Sequence, residues 1–273
     1  MLDKPARIEL SVILGALLAA LVFLVYFWAT NRGPIPPSSY RKTTAAAPAN
    51  LTPLANSALI TSSQTGQPVT VPTQGLTKLL GPTTVKALIL GDSIAFSRGA
   101  SNQDLDSWFA LVSKDLHAQY PGTLQWQLQT SAEGTINDAL NDVPTAKQDN
   151  DLIVICLGRN DCRTIKLTEF KKKYEQLLVE LKAKNPRADI FLVAEPPVRD
   201  IPENNRYFPY RGVTLNLAQK YQLPVIDAWT SFIQDPAQLT DLLSNNSEPN
   251  DKGYRVFAAA VLKSFADYFS PVK

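Results

Sequence analysis

The chain has 273 residues, of which 45% are hydrophobic and 19% charged, a balance that excludes a disordered protein and provides for one sizeable domain with accessory segments. The net charge of +2, without a basic stripe interleaved with aromatic residues, argues against nucleic-acid binding. Cys156 and Cys162 form no zinc-ligand pattern, so neither a metal nor a cofactor is predicted. Because Cys156 lies in an apolar run, a buried thiol is favoured over a disulfide.

The first feature along the chain is an uncharged apolar segment at residues 10–30. Its length matches the hydrocarbon core of a bilayer crossed by a helix. A cleaved signal peptide is the alternative, but its apolar region would be unusually long and no small-residue cleavage motif follows promptly. The sequence therefore predicts a short cytoplasmic tail at 1–9, a transmembrane anchor at 10–30 and a domain on the extracytoplasmic side of a cell membrane.

Residues 31–83 are rich in Pro, Ser, Thr, Ala and Gln, which is typical of a linker. About fifty such residues reach roughly 40 Å as a flexible coil and roughly 150 Å as extended polyproline II. The folded domain can therefore work well away from the bilayer. The apolar stretch Leu76 to Leu80 is the part of the linker expected to pack against the domain edge.

From residue 84 to residue 273, short apolar runs alternate with helical patterns. This alternation predicts an α/β domain, namely a small, doubly wound, mostly parallel five-stranded sheet with helices on both faces. Ligands of such sheets bind outside the carboxyl ends of the strands, so the residues that follow each strand are candidate site residues. The predicted strands are Val85–Leu90, Leu124–Gln129, Leu152–Leu157, Ile190–Ala194 and Pro224–Asp227.

Three of the predicted strand ends carry informative residues. The first is followed by Gly91-Asp92-Ser93, where glycine permits a sharp turn that places the serine hydroxyl on the rim of the crevice. The second is followed by Ser131-Ala132-Glu133-Gly134, and the third by Gly158-Arg159-Asn160-Asp161. Each segment alone is ordinary turn chemistry.

Taken in this order, the three segments resemble the SGNH, or GDSL-type, hydrolases, and the resemblance runs from about Val85 to Phe269. It implies that Ser93 is the nucleophile and that its backbone N–H is one oxyanion donor. It also implies that the Gly134 N–H and the Asn160 amide are the other two donors, which would stabilise a developing oxyanion. Without the resemblance, Asn160 would be interpreted as an amide that ties down loop backbone, and Gly134 as a turn glycine.

The chain departs from this family where the family has Asp-x-x-His, because Asn245 and Glu248 occupy those positions. The only histidine, His117, points away from the apolar stripe of the helix predicted at 107–119, so a solvated surface position is expected. One hypothesis is a slow enzyme with Glu248 as base and Asn245 as a neutral orienting group. The other is an inactive domain that binds an envelope ligand or acts as a scaffold.

The resemblance also implies a class of substrate. Surface-anchored members commonly act on esters of cell-envelope polysaccharides, so the expected activity is hydrolysis or transfer of an acyl group, such as acetyl, on an acylated small molecule or envelope polysaccharide. Three arginines that follow strand ends would favour an anionic ligand, although each alone is typical of a surface ion pair: Arg98, Arg159 and Arg163. A metal site at Asp92, Asn245 and Glu248 is disfavoured, because their spacing is not recognisable.

Overall fold

The structure, a computed structural model, describes residues 74–144, 149–235 and 237–270. The predicted cytoplasmic tail, the predicted membrane anchor and the predicted linker up to residue 73 lie outside these ranges. Within the described ranges, no helix combines the length and the apolar character needed to cross a membrane.

A five-stranded sheet forms the centre of the domain, in the order β2-β1-β3-β4-β5, and all of its pairings are parallel. The strands are β1 Thr84–Gly91, β2 Thr123–Thr130, β3 Leu152–Cys156, β4 Asp189–Ala194 and β5 Val225–Asp227. This arrangement confirms the predicted parallel sheet, with strand bounds that differ from the predicted ones by a residue or so.

The central strands are apolar because they are covered on both faces. All five residues of β3 are buried. Helices lie on both sides of the sheet, and the buried apolar side chains form two separate hydrophobic clusters. In chain order they are α1 Gln103–Asp106, α2 Trp108–Gln119, α3 Ile136–Asp142, α4 Asp161–Thr164, α5 Leu167–Lys184, α6 Ile201–Tyr221, α7 Ala228–Gln234, α8 Leu239–Leu242 and α9 Asp251–Phe269.

A 3-10 helix at Gly75–Leu80 precedes the first strand. Its Leu76 and Leu79 side chains are fully buried in the cluster that also contains Trp108 and Phe257. The folded unit therefore begins upstream of residue 84, inside the segment predicted as linker. The sequence also predicts a surface position for His117, and this is confirmed, because His117 is exposed near the end of α2.

The strand register brings the candidate residues to one edge of the sheet. Gly91, the last residue of β1, pairs with Thr130 at the end of β2 and with Cys156 at the end of β3. The segments that follow these residues therefore leave the sheet at the same level. The beginning of α9 is set by Asn250, whose side chain accepts hydrogen bonds from the Lys252 and Gly253 N–H groups as a helix N-cap.

Candidate active site

The turn after β1 presents Ser93 at this edge. Asp92 is buried, and its Oδ1 accepts hydrogen bonds from the N–H of Ile94 at 2.9 Å and of Ala95 at 3.4 Å. The turn closes where the Arg98 N–H donates to the Ser93 carbonyl at 3.0 Å. Ser93 itself is half-buried, and neither its hydroxyl nor its N–H hydrogen-bonds to another residue that the structure describes. The hydroxyl is therefore available for chemistry.

A small cavity of about 90 Å³ lies in front of Ser93. The structure brings three of the predicted site residues to this cavity, namely Ser93, Asn160 and Glu248. Gly134 and Asn245 are not among the residues that line it. The remaining lining residues are mostly polar or charged: Asp92, Ile94, Arg98, Ala132, Glu133, Arg159, Arg163 and Ser247.

Backbone carbonyls of the loop between β2 and α3 accept hydrogen bonds from the two other predicted oxyanion donors. The Gly134 N–H donates to the Ser131 carbonyl at 2.9 Å, and the Asn160 Nδ2 donates to the carbonyls of Ala132 at 3.3 Å and Gly134 at 3.2 Å. A side chain at position 134 would place its Cβ 2.6 Å from the Gly91 carbonyl oxygen, so this close approach to β1 requires glycine. Of the three predicted donors, only the Ser93 N–H has no acceptor among the described residues.

The Glu248 carboxylate is held on both of its oxygens. Asn245 Nδ2 donates to Oε2 at 3.2 Å, and Arg98 Nε lies 3.7 Å from Oε1. Asn245 is itself oriented, because its Oδ1 accepts hydrogen bonds from the N–H groups of Ser247 at 2.8 Å and Glu248 at 2.9 Å. The structure thus places Asn245 against Glu248, whose side chain is 15% exposed.

A cluster of buried charges lies beneath the cavity. The Arg159 Nε is 3.8 Å from Glu195 Oε2, and the Arg159 N–H donates to Glu195 Oε1 at 3.3 Å. The guanidinium also lies 4.2 Å from the centre of the Tyr207 ring, as a cation–π contact. Burial raises the pKa of Asp92 to about 7, against the hydrogen bonds from Ile94 and Ala95. Burial, and then the Asp92 charge, raise the pKa of Glu195 well above its ordinary value.

Glu195 belongs to the buried cluster beneath the cavity, and the sequence pattern gave it no role in the site. The signal that was present is an acidic residue directly after the apolar strand β4, at the sheet edge where ligands bind. The same cluster includes Asp161, whose Oδ1 accepts the Ile136 N–H at 2.8 Å and whose pKa burial raises to about 6. These carboxyl groups hold the turns after the strands together.

Neither cysteine is in a disulfide, and both thiols are buried. Burial raises the pKa of Cys162 to about 11, and its Sγ donates to the Arg159 carbonyl at 3.0 Å. Among the described residues, no group of three or more histidine, cysteine, aspartate or glutamate side chains is arranged to hold a metal ion.

Several solved structures share the fold. An acetylxylan esterase from Geobacillus stearothermophilus is 19% identical with a TM-score of 0.57, and the match covers 69% of this chain and 96% of that chain. A lipase/acylhydrolase from Enterococcus faecalis is 21% identical with a TM-score of 0.58, over 69% and 99% of the two chains. An alpha/beta hydrolase from the metagenome of Lake Arreo, Spain, is 21% identical with a TM-score of 0.55, over 68% and 97%. No curated protein sequence gives a significant match.

The family assignment comes from the sequence of the domain itself. The sequence model of the GDSL-like lipase/acylhydrolase family matches residues 89–256, more than half of the chain. This range contains the β1 turn with Ser93, both loops beside it and the Asn245–Glu248 segment. The chain therefore belongs to the GDSL-like lipase/acylhydrolase family.

Proposed function

We propose that this protein is a membrane-anchored, extracytoplasmic ester hydrolase or acyltransferase in which Ser93 is the nucleophile and Glu248 the general base. The observation that carries the proposal is that the two residues line one cavity, with the Ser93 hydroxyl unbound by any described residue and the Glu248 carboxylate oriented by Asn245. A nucleophile and an oriented base at one cavity are the essential parts of covalent acyl transfer.

In the proposed reaction, Glu248 accepts the Ser93 hydroxyl proton while Oγ attacks the ester carbonyl. The tetrahedral intermediate then collapses, the ester C–O bond breaks, and the protonated Glu248 returns the proton to the departing alcohol. Water, or another hydroxyl in a transferase, attacks the acyl-serine with Glu248 again as base, and Ser93 is regenerated. Carboxylates are weaker bases than imidazole near neutral pH, so we expect slow turnover.

The oxyanion must be stabilised during both steps. The first donor is the Ser93 N–H, which donates a hydrogen bond to no described residue. The Asn160 amide becomes a second donor when the substrate oxygen replaces the Ala132 carbonyl, whose 3.3 Å hydrogen bond is long. We therefore expect the loop at residues 131–134 to shift when substrate binds.

The size and polarity of the cavity support a small acyl group. A volume of about 90 Å³ with a mostly polar lining suits a small acyl group such as acetyl. Acetylxylan esterases are among the proteins that share the fold. Together with the proposed anchor and linker, this supports acetyl esters of an envelope polysaccharide as the substrate.

A second candidate is a domain that binds an envelope ligand without turning it over. The observation in its favour is that two predicted oxyanion donors are occupied by the carbonyls of residues 131–134.

The deciding experiment treats the full-length chain with a fluorophosphonate probe and assays it on an aryl acetate. We expect labelling and turnover to disappear in Ser93→Ala, and turnover to fall roughly 10²- to 10⁴-fold in Glu248→Gln. Asp115→Asn makes the same carboxylate-to-amide change at an exposed position of α2 outside the cavity and serves as the matched control with a near-normal rate. If the wild type turns over substrate no faster than Ser93→Ala, the proposed enzymatic activity is ruled out and the proposed binding function remains.

A complementary experiment restores the usual base of the family. The double change Asn245→Asp with Glu248→His should raise kcat at neutral pH, because an imidazole accepts a proton there more readily than a carboxylate. A double variant as slow as Glu248→Gln would show that the donors, rather than the base, limit the reaction.

A further inference from the structure

The strand β2 forms one edge of the sheet, and its outer backbone groups have no partner among the described residues. At the two ends of β2, the N–H groups of Thr123 and Ser131 donate to the carbonyls of Thr83 and Gly91 at 3.1 and 3.2 Å. The pairing of β2 with β1 runs without a bulge between these points. Because successive backbone groups of a strand alternate in direction, those of the even-numbered residues point away from β1. These residues include Leu124, Trp126 and Leu128.

Nothing in the composition of β2 protects this edge from another strand. Natural sheets protect their exposed edges with short strands, prolines or charged side chains. The eight residues Thr123–Thr130 include no proline, no glycine and no charged residue. The other edge strand, β5, has three residues and ends at Asp227, which pairs with Arg211 at 2.9 Å. Of the two edges, that of β2 is therefore the one long and neutral enough to accept a second strand.

The apolar side chains of β2 are already held in place. Trp126 Nε1 donates to Ser113 Oγ at 2.7 Å, and the Trp126 ring packs edge-on against Trp108 with 5.4 Å between the ring centres. Leu124, Trp126 and Leu128 pack against the same hydrophobic cluster but remain only half-buried. A second strand beside β2 would cover apolar surface that is already ordered, so its binding would cost little side-chain entropy.

The sequence of β2 is symmetric about Trp126, since Leu124-Gln125-Trp126-Gln127-Leu128 reads the same in both directions. In an antiparallel pair of two copies related by a two-fold axis at Trp126, each of these residues lies opposite a residue of its own kind. Apolar and aromatic cross-strand pairs stabilise sheets, and no like charges meet. The backbone groups match as well, because residues 124, 126 and 128 face outward in both copies and would form about six hydrogen bonds.

We propose that β2 is a homodimer interface, at which a second copy of this chain adds its own β2 antiparallel, with the two-fold axis at Trp126. The five strands of each copy then form one continuous sheet, and both copies use the same surface, as two-fold symmetry requires. About six hydrogen bonds correspond to an interface of roughly 600 to 1,200 Å², at the low end for specific contacts. We therefore expect a concentration-dependent dimer with a Kd of roughly 1 to 100 µM.

This pairing leaves both candidate sites open. None of the described residues of β2 lines the cavity, and the nearest lining residues, Ala132 and Glu133, lie beyond the end of the strand. Because the two β2 strands are antiparallel, the two cavities face opposite ends of the combined sheet. The interface is consequently independent of whether the cavity turns its ligand over or only binds it.

The first test compares the full-length wild type with two double variants by sedimentation velocity in detergent solution. Gln125→Lys with Gln127→Lys places like charges opposite each other across the axis, and should raise the Kd of the dimer at least roughly 10-fold. Gln125→Lys with Gln127→Glu is the matched control, because it places opposite charges there, and its Kd should stay near that of the wild type. A wild type that stays monomeric up to about 100 µM would overturn the proposal. Equal Kd values for the two double variants would also overturn it.

A second measurement tests the register by disulfide crosslinking of full-length chains. Across the proposed axis, Gln125 of one copy lies opposite Gln127 of the other, with roughly 4.5 to 5.5 Å between their Cβ atoms. Two copies of either residue lie diagonally, roughly 7 to 8 Å apart, which is too far for a disulfide. With oxidised glutathione, a mixture of Gln125→Cys and Gln127→Cys should therefore crosslink at least roughly 10-fold faster than either variant alone.

The crosslinking control is Gln176→Cys, which makes the same change at an exposed position of α5 and should stay uncrosslinked. The native thiols Cys156 and Cys162 are buried, so we expect them not to react. Equal rates for the mixture and for Gln176→Cys would overturn the interface. Faster crosslinking of one β2 variant alone than of the mixture would overturn the proposed axis at Trp126.

Discussion

Individual side chains beneath the candidate site carry charge that the fold has removed from water. Asp92 and Glu195 are both essentially unexposed, and the charge of Arg159 acts on both. Removing charges from water is costly, and one arginine offsets only part of that cost for two carboxylates. Raised pKa values for both acids are the physical result, so a proton is retained in this cluster near neutral pH.

The Asp92 carboxyl makes the stability of the domain depend on pH. Burial raises its pKa from 3.8 to about 7, so the native state binds the proton more tightly than the unfolded chain. This contribution to stability is fully present below about pH 4 and is lost as the pH rises through about 7. Asp92→Asn keeps the Oδ1 acceptor but has no charge to bury, and should be more stable than the wild type by roughly 1 to 3 kcal/mol at pH 8.

Chemical denaturation of the full-length chain between pH 5 and pH 8 measures this effect. The wild type should lose stability across the range more steeply than Asp92→Asn. Asp115→Asn, at an exposed position of α2, should follow the wild type. If the stability of the wild type and of Asp92→Asn changed with pH in parallel, the Asp92 carboxyl would not retain a proton in the native state as we expect.

Among the elements, the turn from β3 to α4 positions Arg159 and Asn160 and depends on Gly158. The φ of Gly158 is 132°, and a Cβ there would lie 3.1 Å from Tyr207 Cε2. Residues with a side chain rarely adopt this backbone conformation, and Tyr207 is packed under the Arg159 guanidinium. Position 158 therefore requires glycine both for its positive φ and for the close approach of Tyr207.

Gly158→Ala should lower the free energy of unfolding by roughly 1 to 3 kcal/mol, and it should also lower any Ser93-dependent activity by displacing Asn160. Gly212 provides the opposite case, because it lies inside α6 and a Cβ at that position would meet no described atom within 4 Å. Gly212→Ala should raise stability by up to about 1 kcal/mol. Thermal unfolding of both variants checks the pair, and equal effects would contradict the strain at Gly158.

At the scale of the whole molecule, the proposed arrangement is a domain held at a distance from a membrane. The apolar segment at 10–30 is uncharged, and the Pro-rich segment that follows it has the composition of a linker. The folded unit begins by Gly75, where the Leu76 N–H donates to Asp189 Oδ2 at 2.7 Å. A polysaccharide near the membrane is a substrate that such an arrangement would reach.

Deletion of residues 1–30 should release the chain from membranes into the soluble fraction, because the loss of a long apolar segment removes the anchoring free energy. Sedimentation of membranes after a carbonate wash measures the distribution of the protein. Deletion of residues 31–60, which removes linker alone, should leave the chain in the membrane pellet. A chain lacking 1–30 that still sediments with washed membranes would refute the anchor.

The sequence by itself determined the five strands and the family. Strand β3 is buried on both faces and has to be apolar, so its composition identifies it. Ser93 was predictable because parallel strands end at one sheet edge and glycine permits the turn after β1. The identities of Asn245 and Glu248, with no histidine beside them, are likewise visible in the sequence alone.

Only the tertiary structure decided which groups those residues meet. Arg98 and Glu248 are far apart in the chain, as are Arg159 and Glu195, and no periodicity relates the members of either pair. The Asn160 amide hydrogen-bonds to carbonyls of residues 131–134 because of the path that this segment takes in the fold. Local patterns reflect burial and backbone geometry, which act over a few residues. Charge pairing and hydrogen-bond partners depend on distances that exist only once the chain has folded.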